Sequence, residues 1–159
     1  MLYAGPVTDS LQDSYGPETV CFGCGPANKK GLRIKSFVDG ETVVAAFDPS
    51  PEHQAFPGFV NGGIIGSLFD CHMNWTAAHA IMTAGGLDHL PVTVTADFHV
   101  RLRRPTPYPA TLHLSAWAAN VGGNRAEIEA KLVAGDEVTA TCTANFVAVG
   151  EDHPAVDRW

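Results

Sequence analysis

The stretch VNGGIIGSLFDCHMNW, residues 60–75, is apolar nearly throughout, opens on a glycine pair and carries one ionisable carboxylate, Asp70, in its middle. Followed on to Met82 and closed by Gly85 and Gly86, the pattern predicts a helix over about residues 63–82 with those glycines as its C-terminal stop. Ile64, Leu68, Trp75 and Met82 fall on one face and Ile65, Phe69, Met73 and Ala80 on the next, so the helix is apolar nearly all round. Such a helix belongs in a protein interior. An ionised carboxylate there is costly unless it is protonated, paired or turned towards a cavity.

Counting in threes and fours from Asp70 gives Ser67, Gly66, Gly63 and Asn74, a small or polar stripe suited to line a ligand channel. The amides of Gly62 and Gly63 lie where the helix begins. Unpaired amides at that point, aided by the helix dipole, bind a carbonyl oxygen that is gaining negative charge. A donor that polarises a carbonyl and a carboxylate that attacks it or activates water are the parts of an acyl-transfer site. At ~1.5 Å of rise per residue, however, Gly63 and Asp70 stand about 10 Å apart along one axis. Two copies of the helix running in opposite directions across a two-fold axis would bring the amide of one chain to the carboxylate of the other. A composite site in a dimer is therefore expected. The helix pattern taken alone is equally served by a structural aspartate that acts as a hydrogen-bond hub.

Outward from the helix the pattern changes to period two. Residues 32–48, LRIKSFVDGETVVAAFD, predict a hairpin turning at Asp39-Gly40. Residues 50–57 form a proline-bracketed loop. In PVTVTADFHVRLRRP, residues 91–105, Val92, Val94, Ala96, Phe98, Val100 and Leu102 alternate with Thr93, Thr95, Asp97, His99, Arg101 and Arg103, which predicts one long strand with two unlike faces. Residues 110–121, 125–135 and 137–149 complete an antiparallel meander, with a turn at Gly122-Gly123-Asn124. Hairpin, buried helix and four more strands are most simply packed as an α+β fold, a long curved antiparallel sheet with one face wrapped on a single central helix.

The chain of 159 residues suits one compact domain, and 45% apolar against 17% charged residues suits a protein that buries further surface by self-association. A net charge of -7 argues against nucleic acid and anionic membranes as partners. The opening MLYAGPVTDSLQDS has no basic, apolar signal-like run, and no segment reads as a membrane span, so a cytoplasmic protein is expected.

The string GFVNGGIIGSLFD, residues 58–70, resembles the G-x-x-H-G-G-x-x-x-x-L-x-D signature of the hotdog-fold acyl-CoA thioesterases, particularly their phenylacetate-pathway-like branch, and CFGCGPANKKGL, residues 21–32, is similar to a segment often found ahead of that fold. The likeness implies an N-terminal loop or short helical segment over residues 1–28, a hotdog domain over 29–150 and a tail over 151–159. It also implies hydrolysis of an acyl-CoA thioester by a homodimer, with pairing into a dimer of dimers left open. Coenzyme A enters as part of the substrate, and no separate cofactor is implied. By position, Gly62 or Gly63 would polarise the carbonyl and Asp70 would act as nucleophile or general base. His53 or Gln54 would orient the carbonyl, Thr95 would supply a hydroxyl, and Asn74 would hold the hydrolytic water. Asn61 stands where the signature has histidine, and an amide does not take up a proton near neutral pH.

Arg101, Arg103 and Arg104 concentrate positive charge in an acidic chain and are candidates for the phosphates of coenzyme A, with Lys29 and Lys30 a weaker case. Cys21 and Cys24 make half a zinc site, with Cys71 and Cys142 apart from them in sequence, so an inert buried pair and no metal are expected. Two other functions stay open: a hydratase or dehydratase of enoyl thioesters, although Trp75 offers no histidine partner to Asp70, and a non-catalytic acyl-CoA-binding protein.

Overall fold

The computed structural model describes residues 9–156. The remainder of the expected N-terminal segment and C-terminal tail, residues 1–8 and 157–159, lies outside the described residues. Element order is α1 (Leu11–Tyr15), β1 (Phe37–Asp39), β2 (Thr42–Phe47), α2 (Gly62–Gly85), β3 (Thr93–Leu102), β4 (Leu112–Gly122), β5 (Arg125–Ala134) and β6 (Glu137–Ala148). The strands form one antiparallel six-stranded sheet in the order β1-β2-β4-β5-β6-β3, with α2 against one face, the hotdog architecture.

Alternation explains why the helix sits where it does. On β5, Ala126, Ile128, Ala130, Leu132 and Ala134 are buried while Arg125, Glu127 and Lys131 are exposed; on β6, Ala140, Cys142, Ala144 and Phe146 point inward. The many alanines let α2 approach closely, and its large side chains, Leu68, Phe69, Met73 and Trp75, fill the space. Burying each of those four contributes about 1.5–3 kcal/mol, so a bulky residue at Ala130 or Ala144 would hold the helix off the sheet. The helix ends as the glycine pair predicts: Gly86 is left-handed (φ 59°), its amide bonds to Thr83 O at 3.3 Å, and that of Leu87 bonds to Met82 O at 2.9 Å. Both bonds satisfy carbonyls that the last turn would otherwise leave open.

Three local readings change. The two-residue turn of the hairpin is Gly40-Glu41 rather than Asp39-Gly40, because Asp39 pairs with Thr42 and the positive φ of 61° falls on Gly40. Residues 32–36, expected in the first strand, lie outside the sheet, with Arg33 at a positive φ of 51°: Leu32 N bonds to Phe22 O at 2.7 Å and Ile34 N to Gly23 O at 3.1 Å. The stretch before residue 29 thus holds this segment in place and is itself packed, with Leu11, Gln12, Gly23 and Cys24 buried. Finally, β3 carries a bulge. Thr95 pairs with Phe146 and Asp97 with Asn145, which leaves Ala96 as the extra residue and inverts the alternation. Thr93 and Thr95 therefore share the helix-facing side with Phe98, Val100 and Leu102 instead of opposing them, a re-aiming that bulges commonly perform.

Candidate active site

Asp70 lies on α2 facing this part of β3, and Thr95 Oγ1 donates to its Oδ1 at 2.6 Å. Asp70 is half-buried, and desolvation raises its pKa above the ordinary carboxylate value, with the Thr95 hydrogen bond pulling the other way and negative charge on Cys21 adding to the rise. It borders a cleft of about 340 Å³ lined by Thr19, Val20, Cys21, Cys24, Cys71 and Asn74. A desolvated carboxylate aimed into a cleft is a better base than the same group in water. Of the expected stripe, Ser67 bonds back to Gly63 O at 3.0 Å, and Gly66 faces the Phe98 ring of β3, where a Cβ would stand 3.8 Å away, an ordinary contact.

At the start of α2 the structure separates the two glycines. Asn61 is the N-cap, and its Oδ1 accepts from Gly63 N at 2.7 Å and from Ile64 N at 3.3 Å. The Gly63 amide is thus engaged. The Gly62 amide has no hydrogen-bond partner among the described residues, which leaves it as the donor available to a ligand. At ~1.5 Å per residue, Gly62 and Asp70 stand about 12 Å apart along α2. Within one chain the two do not converge on a single carbonyl.

The remaining candidates are dispersed. Gln54 uses both ends of its amide inside its own loop, accepting from Gly58 N at 2.8 Å and donating to Pro51 O at 3.0 Å. His53 accepts from Ser50 N at 2.9 Å and, through its carbonyl, from Asn61 N at 2.8 Å, so this loop positions the cap. Asn74 reaches the Asp70 cleft, but its Oδ1 accepts from Thr93 Oγ1. Arg103 and Arg104 share a second cleft, of about 310 Å³, with Gly62 and Leu102. There Arg103 Nε donates to Thr141 Oγ1 at 2.9 Å and Arg104 forks onto Glu137 at 3.1 Å. Arg101 opens instead onto a groove with Glu129, Lys131 and Thr141. Lys29 and Lys30 are exposed. A further cleft, of about 550 Å³, lies near the other end of α2 around His79 and Trp117. Its lining carboxylate, Glu41, is exposed on the hairpin turn, whereas Asp70 is half-buried on α2, so the Asp70 cleft is the better candidate.

Two features escaped the sequence reading. His72, fully buried, accepts from Ser36 Oγ at 2.8 Å and donates from Nε2 to Val43 O at 2.9 Å, with Gln12 Nε2 completing the chain onto Ser36 Oγ at 2.9 Å. Its ring follows the carbonyl: Nε2 must be the protonated nitrogen. The second is Cys71, which was set apart from the Cys21–Cys24 pair and is in fact brought to it: the three Sγ atoms lie within 4.8 Å of one another.

Residues 57–141, more than half of the chain, match the family model described as Thioesterase superfamily. No curated protein matches the chain. Among solved structures, a thioesterase superfamily protein from Shewanella loihica PV-4 is 31% identical, with a TM-score of 0.69 over 87% of this chain and 99% of that one. The Escherichia coli PaaI protein from the phenylacetic acid degradation operon is 17% identical (TM-score 0.63, 78% of this chain, 85% of that one). The smu.793 protein from Streptococcus mutans UA159, bound to acetyl CoA, is 14% identical (TM-score 0.61, 74% and 89%). The last two likenesses are of fold alone.

Proposed function

We propose that this chain, which belongs to the thioesterase superfamily, is an acyl-CoA thioesterase with Asp70 as nucleophile or general base and the Gly62 amide as the donor to the thioester carbonyl. The observation that carries the reading is Asp70 itself, half-buried, held by Thr95 and open to a cleft. Attack at the carbonyl carbon, by water that gives its proton to Asp70 or by the carboxylate followed by water, breaks the carbon–sulfur bond and releases a carboxylic acid and coenzyme A. The acetyl-CoA complex of the Streptococcus mutans protein, of the same fold, supports an acyl-CoA as the ligand class. The positive charge of Arg103 and Arg104 beside Gly62 suits the phosphates.

The distance along α2 supports a two-chain site. Among the described residues the outer edge of β3 has no strand beside it, and Phe98 and Leu102 on that strand are 45% and 57% exposed. Open edges of this kind pair with further strands. A second copy joined there, running the opposite way, sets the Gly62 amide of each chain towards the Asp70 of the other. Arg101 stands on the outer face and is the weakest of the proposed phosphate contacts.

The test is thiol release from a panel of acyl-CoA esters, followed by subunit exchange. Gly62→Pro removes the donor at the first helical position, where proline is tolerated, and Asp70→Asn removes the base. Each variant alone is expected to be inactive. Heterodimers formed from the two regain one intact site in two, whereas a site within one chain gives no recovery. The capped Gly63 amide favours one second reading, a binding-only protein. Acyl-CoA binding without thiol release from any ester would decide for that.

A further inference from the structure

Cys21, Cys24 and Cys71 come from two separate parts of the chain and meet in the lining of the Asp70 cleft. Cys21 and Cys71 Sγ are 3.7 Å apart. A disulfide requires about 2.05 Å. Thiolates at about 2.3 Å from a tetrahedral zinc ion stand about 3.8 Å from one another. The spacing is therefore that of ligands sharing an ion.

The surroundings are built for sulfur. The Trp75 indole N–H donates to Cys24 Sγ at 3.3 Å. Donors around a metal-bound sulfur orient it and offset its charge. The turn admits nothing larger: a Cβ at Gly23 would stand 2.3 Å from Cys71 Sγ, and one at Gly25 would stand 2.4 Å from Cys21 N. Inert cysteines pack singly as small hydrophobes. Here two are buried and the third, Cys21, is exposed at the mouth of the cleft.

We propose that Cys21, Cys24 and Cys71 bind one soft divalent cation of the zinc class, with the fourth position open to the cleft, and that the ion ties the N-terminal segment to α2. The thioesterase reading is not needed for this inference. Inductively coupled plasma mass spectrometry on protein purified under reducing conditions and supplied with zinc is expected to give close to one equivalent per chain. Cys21→Ser and Cys71→Ser should each lower the zinc content at least tenfold, and Cys142→Ser should leave it unchanged. Titration of the wild type with cobalt(II) should produce thiolate-to-metal charge-transfer absorption and tetrahedral d–d bands, a readout that does not depend on any variant folding. Chelation of the loaded protein should lower its Tm. The proposal is overturned by wild-type protein that holds no zinc and gives no cobalt bands, by cysteine variants that keep the metal, or by two of the four thiols being found oxidised to a disulfide.

Discussion

Asp70 and His72 stand two residues apart on α2, yet they meet opposite surroundings. His72 is fully buried, each ring nitrogen has a partner, and the chain Gln12–Ser36–His72–Val43 closes every donor and acceptor in its path. Asp70 is half-buried and borders open space, and its one hydrogen-bond partner among the described residues, Thr95, engages Oδ1. One helix thus carries an ionisable group made inert by complete satisfaction and another kept reactive by incomplete satisfaction. Distance in sequence says little about this difference. A rotation of about 200° around the helix, two residues at ~100° each, sends the two side chains to opposite sides.

Substitution at each position separates the two roles. Asp70→Asn should reduce thiol release by about 10²–10⁴ while the Tm holds or rises, because a desolvated charge is removed. A collapse of Tm together with activity would make Asp70 as architectural as its neighbour. His72→Leu should do the reverse, losing about 2–4 kcal/mol of stability as the Ser36 hydroxyl and the Val43 carbonyl lose their partner, with activity per folded molecule unchanged.

Acid should act through the same histidine. Desolvation holds the folded pKa of His72 down to about 4, from an ordinary 6.5, with the Val43 hydrogen bond opposing. Between those values the unfolded chain binds the proton and the folded chain does not. Stability is therefore fully present above pH 6.5 and falls as the pH drops towards 4, by about 3 kcal/mol. Urea midpoints across that range check this, and His72→Leu should flatten the slope.

Smaller effects sharpen the contrast on the Asp70 side. Thr95→Val removes a hydrogen bond to a charged group, worth about 1.5–3 kcal/mol, and should lower kcat/KM about tenfold or more, with Thr95→Ser restoring most of it. Asn61→Ala removes the cap and should lower stability by about 1 kcal/mol, a few degrees in Tm, whereas Asn61→Asp should retain it.

The long elements were legible because their signals are periodic. The all-round apolar stretch over 62–85 and the strict alternation in β5 leave few alternative packings, and Asp70 stands out as the one charge in the helix. What stayed hidden depends on events between elements. No periodicity announces that Ala96 is skipped by its partner strand, so Thr95 was assigned to the face opposite Phe98 and Val100. Cys71 looked like one more apolar helix residue until the turn at Gly23 brought two sulfurs beside it. Gln54 looked free because its partners, Pro51 O and Gly58 N, are main-chain atoms that every residue type supplies. Asn61 looked like a lost histidine and is in fact a cap, a role that short polar side chains hold at helix starts.

The extra residue at Ala96 makes β3 a ribbon given a half-turn in mid-length. Drawing that single alanine into regular pairing would leave the chemistry of every residue intact and still exchange the sides on which half the strand presents itself, offering the helix Val94 and Val92 in place of the two threonines. The hydroxyl-lined wall beside the carboxylate thus rests on one residue standing outside the ladder.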